Sequence, residues 1–238
     1  MSMRFKGGVI SATAPVTSTS AAIGVWTLQQ QFQAKGQNLW PSPLVIGDAL
    51  GGGFFAGQIS TAGNGIADYN LVVGPVASAQ NSSKQFKTSN TSTTGTTSVI
   101  DGPTNSSNMN NASHPAAQFC EGLTIGGFSD WYLPAKNELE VCYYNLKPTT
   151  NTNNTSSGIN ANAVPARASN YTSGSPAQTS AAAFITSTGA EAFTVNNYWS
   201  STQISAMYAW TQLFQTGYQF SGDKVSYYFV RAVRRVAV

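Results

Sequence analysis

Side chains that could catalyse a reaction or bind a metal ion are few in this sequence of 238 residues. The only histidine, His114, lies in an Asn- and Ser-rich stretch before Pro115, where we expect a solvated loop. A Ser-His-Asp triad or a multi-histidine metal site would have to be built around this one residue. The nine acidic residues are scattered along the chain. The residue inventory therefore argues against an enzyme, and we predict neither a cofactor nor a metal site.

The other reactive side chains also lack the spacing of a known site. Cys120 and Cys142 are 22 residues apart, which fits no redox motif, and two cysteines cannot form a four-sulfur zinc site. We predict that each is reduced and buried on the apolar face of its own helix, and a disulfide between the two helices is the alternative. Glu138 and Glu140 are two apart and would lie on different sides of a helix. The glycine run at residues 51–53 lacks the Lys and Ser or Thr of a phosphate-binding loop.

Composition excludes further classes of protein. Charged residues make up only 9% of the chain, against about a quarter in ordinary soluble proteins, and the net charge is +3 without a basic stripe. Nucleic-acid binding is therefore not predicted. No stretch approaches the roughly 20 apolar residues of a spanning helix, so membrane insertion is not predicted. No secretory signal is visible, and we expect assembly in a cytosol.

The elements that would position functional side chains follow an α+β order. Short Gly-punctuated strands come first, helices lie in the middle, and strands return late. Two tracts rich in Ser, Thr and Asn, residues 84–113 and 149–180, are predicted to be long surface loops. The predicted helices span residues 115–123 and 136–146, with a weaker one at 180–186, and the late strands span 198–202, 208–214, 218–220 and 225–236.

Residues 1–43 are predicted to be an extended segment outside the domain, which would comprise residues 44–238. Its apolar residues are too few to form a core, and a three-and-four spacing within residues 25–32 predicts a short helix. Such exposed apolar groups favour docking on a partner or on other copies of the chain, and folding back on the domain is the alternative. The anchor candidates are Val9, Ile10, Val25, Trp26, Leu28 and Phe32.

Three motifs in order carry a family resemblance: GGFSDWYLPAKNEL at residues 126–139, YWSST at 198–202 and FVRAVR at 229–234. They resemble the C-terminal domain family of collagen-like adhesins. That resemblance implies a C-type-lectin-like fold and a role in adhesion or receptor binding. The calcium-binding EPN and WND runs of true C-type lectins are absent, as are the paired catalytic cysteines of formylglycine-generating enzymes. The resemblance therefore implies neither calcium-dependent sugar binding nor catalysis.

The same resemblance assigns roles to several residues. Trp131 and Trp199 belong to the motifs and are expected in the core, while Asp130, Glu138 and Arg231 are expected to form buried charge pairs. In lectin-like domains the late strands carry the binding face, where Tyr, Trp and Gln suit recognition. Because side chains alternate along a strand, about half must face inward. The receptor-binding candidates are Tyr208, Trp210, Gln212, Gln215, Tyr218, Gln219, Phe220, Tyr227 and Tyr228, of which Gln215, Tyr218, Gln219 and Tyr227 are predicted to face outward.

The first segment carries a second resemblance. GGVISATAP at residues 7–15 and GVWTLQQQ at 24–31 are similar to attachment segments of marine tailed-phage fibre proteins. The two resemblances together imply a virion protein assembled in the host cytoplasm. We expect a homotrimeric fibre or receptor-binding module, joined to other virion proteins through residues 1–43, that recognises a host surface glycan or protein. A head- or neck-decorating protein with the same fold is the first alternative, and a bacterial surface adhesin the second.

Overall fold

The computed structural model describes residues 16–17, 22–23, 27–36 and 43–238 of the chain. Two compact units divide the chain, Met1–Leu44 and Val45–Val238. In the first unit, β1 (Val16–Thr17) pairs antiparallel with β2 (Ala22–Ile23), and α1 (Leu28–Gly36) follows. No helix in the described ranges is long and apolar enough to cross a membrane.

The short helix α1 begins with a reciprocal cap. Thr27 Oγ1 accepts a hydrogen bond from the backbone N–H of Gln30, and Gln30 Oε1 accepts one from the N–H of Thr27 at 2.9 Å. Leu28 and Phe32, one turn apart on α1, are each 84% exposed. The anchor candidates Val9, Ile10, Val25 and Trp26 lie outside the described residues. Docking through this segment stays a prediction.

The second unit is an α+β domain, as predicted, and it contains two five-stranded sheets. Its strands are β3 (Ala49–Leu50), β4 (Gly53–Ile59), β5 (Tyr69–Val73), β6 (Gln80–Gln85), β7 (Ala163–Val164), β8 (Asn197–Gln203), β9 (Tyr208–Leu213), β10 (Gln219–Asp223), β11 (Tyr227–Arg231) and β12 (Val233–Ala237). Its helices are α2 (Val76–Ala79), α3 (Gly102–Ser107), α4 (Pro115–Glu121), α5 (Lys136–Leu146) and a 3-10 helix, Ala182–Phe184. The first sheet has the order β12–β5–β4–β3 with β7 beside β4, and the second has the order β10–β9–β8–β11–β6.

Helix α5 packs against the first sheet and forms one half of the core. Its apolar residues Leu139, Cys142 and Leu146 recur every three or four positions, so they share one face, and all three are buried. At the start of the helix, Glu138 Oε2 accepts a hydrogen bond from the N–H of Ala135. Gly57 in β4 lets the helix approach, because a Cβ there would lie 2.3 Å from Asn145 Nδ2. The predicted bounds of this helix are confirmed.

A second group of buried residues fills the space between α4 and the second sheet. Trp131 and Trp199 are 1% and 0% exposed, which confirms their predicted core positions. Trp199 packs against Phe86 with ring centroids 5.7 Å apart, and Cys120 of α4 belongs to the same group. Both cysteines are free and buried, so the disulfide alternative is wrong for this structure.

The last predicted strand, residues 225–236, is two strands in different sheets. Ala232 lies between β11 and β12, and its backbone groups do not pair with a neighbouring strand of either sheet. Its N–H donates to Ala79 O, and its carbonyl accepts from Gly74 N–H. The side-chain alternation continues across this point, which is why the sequence pattern predicts one strand. The chain thus changes sheets at Ala232 and joins the two sheets.

The two polar tracts are predicted to be long surface loops, but both contain regular elements or buried side chains. The first tract includes α3, whose N-cap Asp101 accepts from the N–H of Thr104, and the end of β6. In the second tract, Asn160 and Asn162 are buried and donate to the backbone carbonyls of Asn137 and Ser60. These asparagines tie the second tract to the start of α5 and to the end of β4 through backbone carbonyls. The weaker predicted helix at residues 180–186 is only the short 3-10 helix.

Candidate functional site

The nine receptor-binding candidates lie on both faces of the second sheet. In the β9–β10 pairing, Trp210 is opposite Ser221 and Gln212 is opposite Gln219, whereas Thr211 is opposite Phe220. Directly opposed residues in an antiparallel pair point to the same side. Trp210, Gln212 and Gln219 therefore share one face, and Phe220 lies on the other. The candidates are thus divided between the two faces, as the alternation predicts, and Gln215 lies in the loop between β9 and β10.

Gln212 cannot contact a receptor, because it is only 1% exposed. Its strand register places it beside Tyr198 in the middle of the sheet, where α5 and the 157–171 segment cover it. Its Nε2 lies 3.4 Å from Gly217 O and 3.5 Å from the hydroxyl of Tyr171. The alternation of side chains along a strand predicts which residues share a face. It does not predict whether other segments of the chain cover that face.

On the opposite face, three candidates form a row of rings, here called the aromatic ridge: Tyr218, Phe220 and Tyr228. The Tyr218 and Phe220 rings are stacked at 5.4 Å, and Phe220 lies 6.5 Å from Tyr228. Tyr228 in turn packs on the buried Trp199 at 4.7 Å. The ridge is thus anchored in the core at one end. Phe220 and Tyr228 are half-buried, and mainly Tyr218 presents its ring to solvent.

The predicted outward orientation is confirmed for three of four residues. Tyr218 is 41% exposed, Tyr227 is 63% exposed, and Gln215 is exposed in the loop between β9 and β10. Gln219 is half-buried. Tyr208, for which no orientation is predicted, is 39% exposed.

On the first face, Trp210 and Gln219 border a cleft with a volume of about 200 Å³. Lys136 enters it from the first residue of α5, Trp210 from the middle of β9, and Gln219 from the start of β10. We call it the Lys136–Trp210 cleft. Its remaining lining residues are Ser156, Ser157, Gly158, Ile159 and Asn170.

Lys136 in this cleft contacts an aromatic ring and, within the described ranges, has no protein acceptor for its ammonium group. Its Nζ is 4.8 Å from the centroid of the Trp210 ring, a cation–π contact. Among the residues that the structure describes, no oxygen accepts a hydrogen bond from this ammonium group. Burial lowers the pKa of Lys136, and the carboxylate of Glu140 opposes that shift. The helix start that carries it is held by the backbone N–H of Lys136, which donates to Thr202 Oγ1 at 2.9 Å.

Gln219, which lines the cleft, has one side-chain nitrogen without a partner in the part of the chain that the structure describes. Its Nε2 is buried and has no acceptor among the described residues. Its backbone N–H donates to Ser157 Oγ at 3.0 Å, which holds β10 against the 156–159 segment. Buried polar groups without a partner are rare, and each one requires an explanation such as a bound molecule. The Oε1 of the adjacent Gln212 is also buried without a partner.

The far wall of the cleft depends on Gly158, whose φ is +118°. A Cβ there would lie 2.4 Å from the ring of Tyr171. Tyr171 is tied to α5, because its hydroxyl donates to Glu140 Oε1 at 2.6 Å. Arg167 forms an ion pair with the same carboxylate and stacks over Tyr144 at 4.1 Å. The wall is therefore built on the helix that also carries Lys136.

The whole cleft lies within residues 80–234, which match the Lcl C-terminal domain. The chain belongs to this family. A search of curated proteins finds no match. The family resemblance of the three motifs is thus confirmed. Residues 1–79 lie outside the match, so the family assignment does not cover residues 1–43 or strands β3 to β5.

The charged residues of the Lcl C-terminal domain motifs mainly hold the fold together. Glu138, 0% exposed, pairs with Arg235 at 2.9 Å and accepts from the hydroxyl of Tyr132 at 2.6 Å. Arg231, 1% exposed, pairs with Glu191 at 2.8 Å, a partner that lies outside the motifs. Burial lowers the pKa of Arg231 to about 10, and Glu191 opposes that shift.

One predicted buried charge is exposed. The side chain of Asp130 is 56% exposed, although it pairs with Arg234 at 2.7 Å. The hydrogen bond from Arg234 lowers the pKa of Asp130 against the effect of burial. Asp130 lies at the rim because the following residue, Trp131, takes the interior position.

His114 is buried, at 4% exposure, and the prediction of a solvated loop histidine is wrong. Its Nδ1 lies 2.8 Å from Asn111 Oδ1, and its Nε2 lies 2.8 Å from Thr93 Oγ1. Burial, with the nearby charges of Lys87 and Lys224, lowers the pKa of His114 to about 4. The ring is therefore neutral, with Nδ1 donating to the amide oxygen and Nε2 accepting from the hydroxyl.

Two buried lysines surround this histidine, and we call the three residues the Lys87–Lys224 cluster. Lys87 Nζ donates to Ser92 O at 2.9 Å and to Thr93 Oγ1 at 2.8 Å. Lys224 Nζ donates to Thr91 O at 3.0 Å. Burial lowers the pKa of Lys224 to about 8. The two ammonium groups hold the 91–93 loop in place, and every nitrogen has a partner.

Acidic, histidine and cysteine side chains do not gather into a site for a metal ion within the described part of the chain. Burial raises the pKa of both cysteine thiols, so neither is an activated nucleophile. Of the cleft residues, sequence analysis identifies Trp210 and Gln219. It misses Lys136, Asn170 and the 156–159 segment. Lys136 is part of the first motif and is the first residue of a helix. Nothing in the sequence around it predicts that its side chain contacts β9.

Proposed function

We propose that this chain is a non-enzymatic recognition module of a phage virion, with a C-type-lectin-like domain that binds a host surface glycan or protein. The single observation that carries the proposal is the Lys136–Trp210 cleft. It combines an aromatic ring with the ammonium group of Lys136, which has no acceptor among the described residues, next to strands that expose several tyrosines. A ligand acceptor at such a charged donor would replace water, with a net gain of roughly 1.5–3 kcal/mol.

The family supports a role in adhesion, and residues 1–43 would attach the module to other virion proteins. The exposed Leu28 and Phe32 on α1 fit such an attachment, because large apolar side chains in a short helix require a covering partner. A homotrimer would provide three copies of the cleft. Three weak sites on one particle would together bind a cell surface much more strongly than one.

Immunogold labelling of the source particle with antibodies against residues 44–238 tests this proposal. Label at the distal tail or at fibre tips is the expected result. Label spread over the head or collar would contradict the recognition role and favour the decorating alternative, in which the exposed tyrosines would serve as assembly contacts. Particles without label would exclude a virion protein.

A further inference from the structure

Strand β10 forms one edge of the second sheet and pairs only with β9. Just before β10 begins, the N–H of Leu213 donates to Tyr218 O at 2.9 Å, which fixes the hydrogen-bonding phase of this pairing. Hydrogen-bonded and non-hydrogen-bonded pairs alternate along an antiparallel ladder. The backbone groups of alternate β10 residues therefore point away from β9, to the free edge of the sheet. These residues are Gln219, Ser221 and Asp223.

The outward backbone groups of this edge are only partly used inside the protein. The N–H of Gln219 donates to Ser157 Oγ at 3.0 Å, and the C=O of Asp223 accepts from the N–H of Ser226 at 2.9 Å. The C=O of Gln219, the N–H of Asp223 and both backbone groups of Ser221 have no partner among the described residues. Ser221 is exposed. The edge thus offers two donors and two acceptors to another strand.

The pattern of free and used groups on this edge is its own complement. In an antiparallel pair with a two-fold axis at Ser221, each Ser221 faces Ser221 of the second copy, and each Gln219 faces Asp223 of the second copy. The free C=O of Gln219 then meets the free N–H of Asp223, and the used N–H of Gln219 meets the used C=O of Asp223. Every free group gains a hydrogen bond. This match favours a second copy over an unrelated strand, which would place its own free groups against the used ones.

The side chains of β10 permit such a pairing. Natural edge strands are protected by lysine, proline or a β-bulge, and β6 at the other edge of this sheet has Lys84 and an irregular register with β11. Strand β10 contains neither lysine nor proline, and its register with β9 is regular. Phe220 would face Gly222 of the second copy, and the glycine leaves room for the ring. The edge is therefore unprotected.

We propose that β10 pairs antiparallel with β10 of a second copy of the chain, around a two-fold axis at Ser221. The second sheets of the two copies then become one continuous sheet. Five residues a side are far fewer than the roughly 20–30 of a stable interface. The contact is therefore transient between free molecules and gains strength where copies are held close together. It is separate from the attachment proposed for residues 1–43, and it does not rest on the proposed recognition role.

The first test is mild oxidation of the full-length protein with Ser221→Cys. Directly opposed residues of a hydrogen-bonded pair have Cα atoms about 5.5 Å apart, a distance that a disulfide spans. We expect a covalent dimer on non-reducing gels, formed at least tenfold faster than in Ser205→Cys, because pairing holds the two thiols at a high effective concentration. Ser205 is the control, an exposed serine between β8 and β9. The native Cys120 and Cys142 are free and buried, so they do not compete.

A second test uses the fact that residue 221 faces its own copy. Ser221→Lys and Ser221→Glu each place like charges opposite one another, whereas an equal mixture of the two places opposite charges there. Sedimentation velocity at high protein concentration should show association in wild type, in Ser221→Ala and in the mixture, and its loss in either charged variant alone. Because the mixture contains the same variants, its association also shows that both are folded.

Two results would overturn the proposal. Equal rates of disulfide formation in Ser221→Cys and Ser205→Cys would show that the thiols meet only by random collision. A mixture of Ser221→Lys and Ser221→Glu that associates no more than either variant alone would exclude the two-fold register at Ser221.

Discussion

Lys87 and Lys136 place the same ammonium group in opposite situations. Lys87 is 8% exposed, and its Nζ donates to Ser92 O, Thr93 Oγ1 and, at 3.3 Å, Thr91 O. Lys136 is half-buried, and its Nζ meets only the face of Trp210 in the described part of the chain. A buried cation whose donors are all used stabilises the fold, whereas one whose donors are unused is available to a ligand. Lys84 also lacks an acceptor in the described part of the chain and lies over Phe119, so the role proposed for Lys136 depends on its position in the cleft.

The largest expected effect on stability comes from breaking the satisfied site. Lys87→Met leaves Ser92 O without its lysine donor inside the protein, which costs about 2 kcal/mol. For a domain of this size that lowers the Tm by roughly 4–8 °C. Lys136→Met is the matched control and loses only a cation–π contact of about 1 kcal/mol or less. Thermal unfolding of both variants checks this, and equal destabilisation would remove the distinction between the two sites.

A second pair of substitutions compares the two faces of the second sheet. Tyr228→Ala removes the half-buried ring that packs on Trp199 and should reduce the free energy of unfolding by about 1 kcal/mol. Because the ridge is anchored in the core, attachment to host cells should persist at temperatures where the variant is folded. Trp210→Ala should show the reverse, with a smaller loss of stability and no attachment. Attachment lost in Tyr228→Ala and kept in Trp210→Ala would move the recognition site to the ridge.

His114 makes the stability of the Lys87–Lys224 cluster depend on pH in the acidic range. Its pKa is lowered from 6.5 to about 4 in the folded protein. Below pH 6.5 the unfolded chain therefore binds a proton that the folded chain does not, and stability is lost as the pH falls towards 4. Unfolding measured at several pH values should show that His114→Gln removes this part of the acid sensitivity. A difference between wild type and variant that does not change with pH would contradict the neutral, buried histidine.

The smallest expected change in stability follows from removing residues 1–43. The Val45–Val238 unit has its own two sheets and core, so its Tm should change by no more than a few degrees. The oligomeric state, measured by light scattering, should fall from a trimer to a monomer if this segment supplies the assembly contacts. A truncated protein that fails to fold would show that the segment belongs to the core of the domain.

Local patterns in the sequence predict the elements better than the site. Helix α5 is predicted at its observed bounds because the spacing of Leu139, Cys142 and Leu146 repeats along one helix face. The division of the last strand at Ala232 is not predictable, since alternation does not indicate which sheet a strand joins. Strand β6 is polar throughout, from Gln80 to Gln85, and carries no apolar signal at all.

The cleft itself arises from contacts between distant segments. Lys136 and Trp210 come from a helix and a strand that are 74 positions apart, and the 156–159 segment reads as a plain polar loop. Aromatic and amide residues in the late strands correctly indicate Trp210 and Gln219. The wrong placement of Gln212 and His114 has a common physical cause. In a chain with 9% charged residues, uncharged polar side chains also occupy the interior, where His114 and Gln212 bond to other polar groups.

Attachment of the full-length protein to intact host cells tests the central claim most directly, with wild type, Lys136→Met and Lys84→Met compared at equal concentration. Both variants lose one positive charge and one lysine above an aromatic ring, and only Lys136 lines the cleft. We predict that Lys84→Met attaches like wild type and that Lys136→Met attaches at least tenfold more weakly. Wild-type attachment by Lys136→Met would contradict the assignment of the cleft as the recognition site.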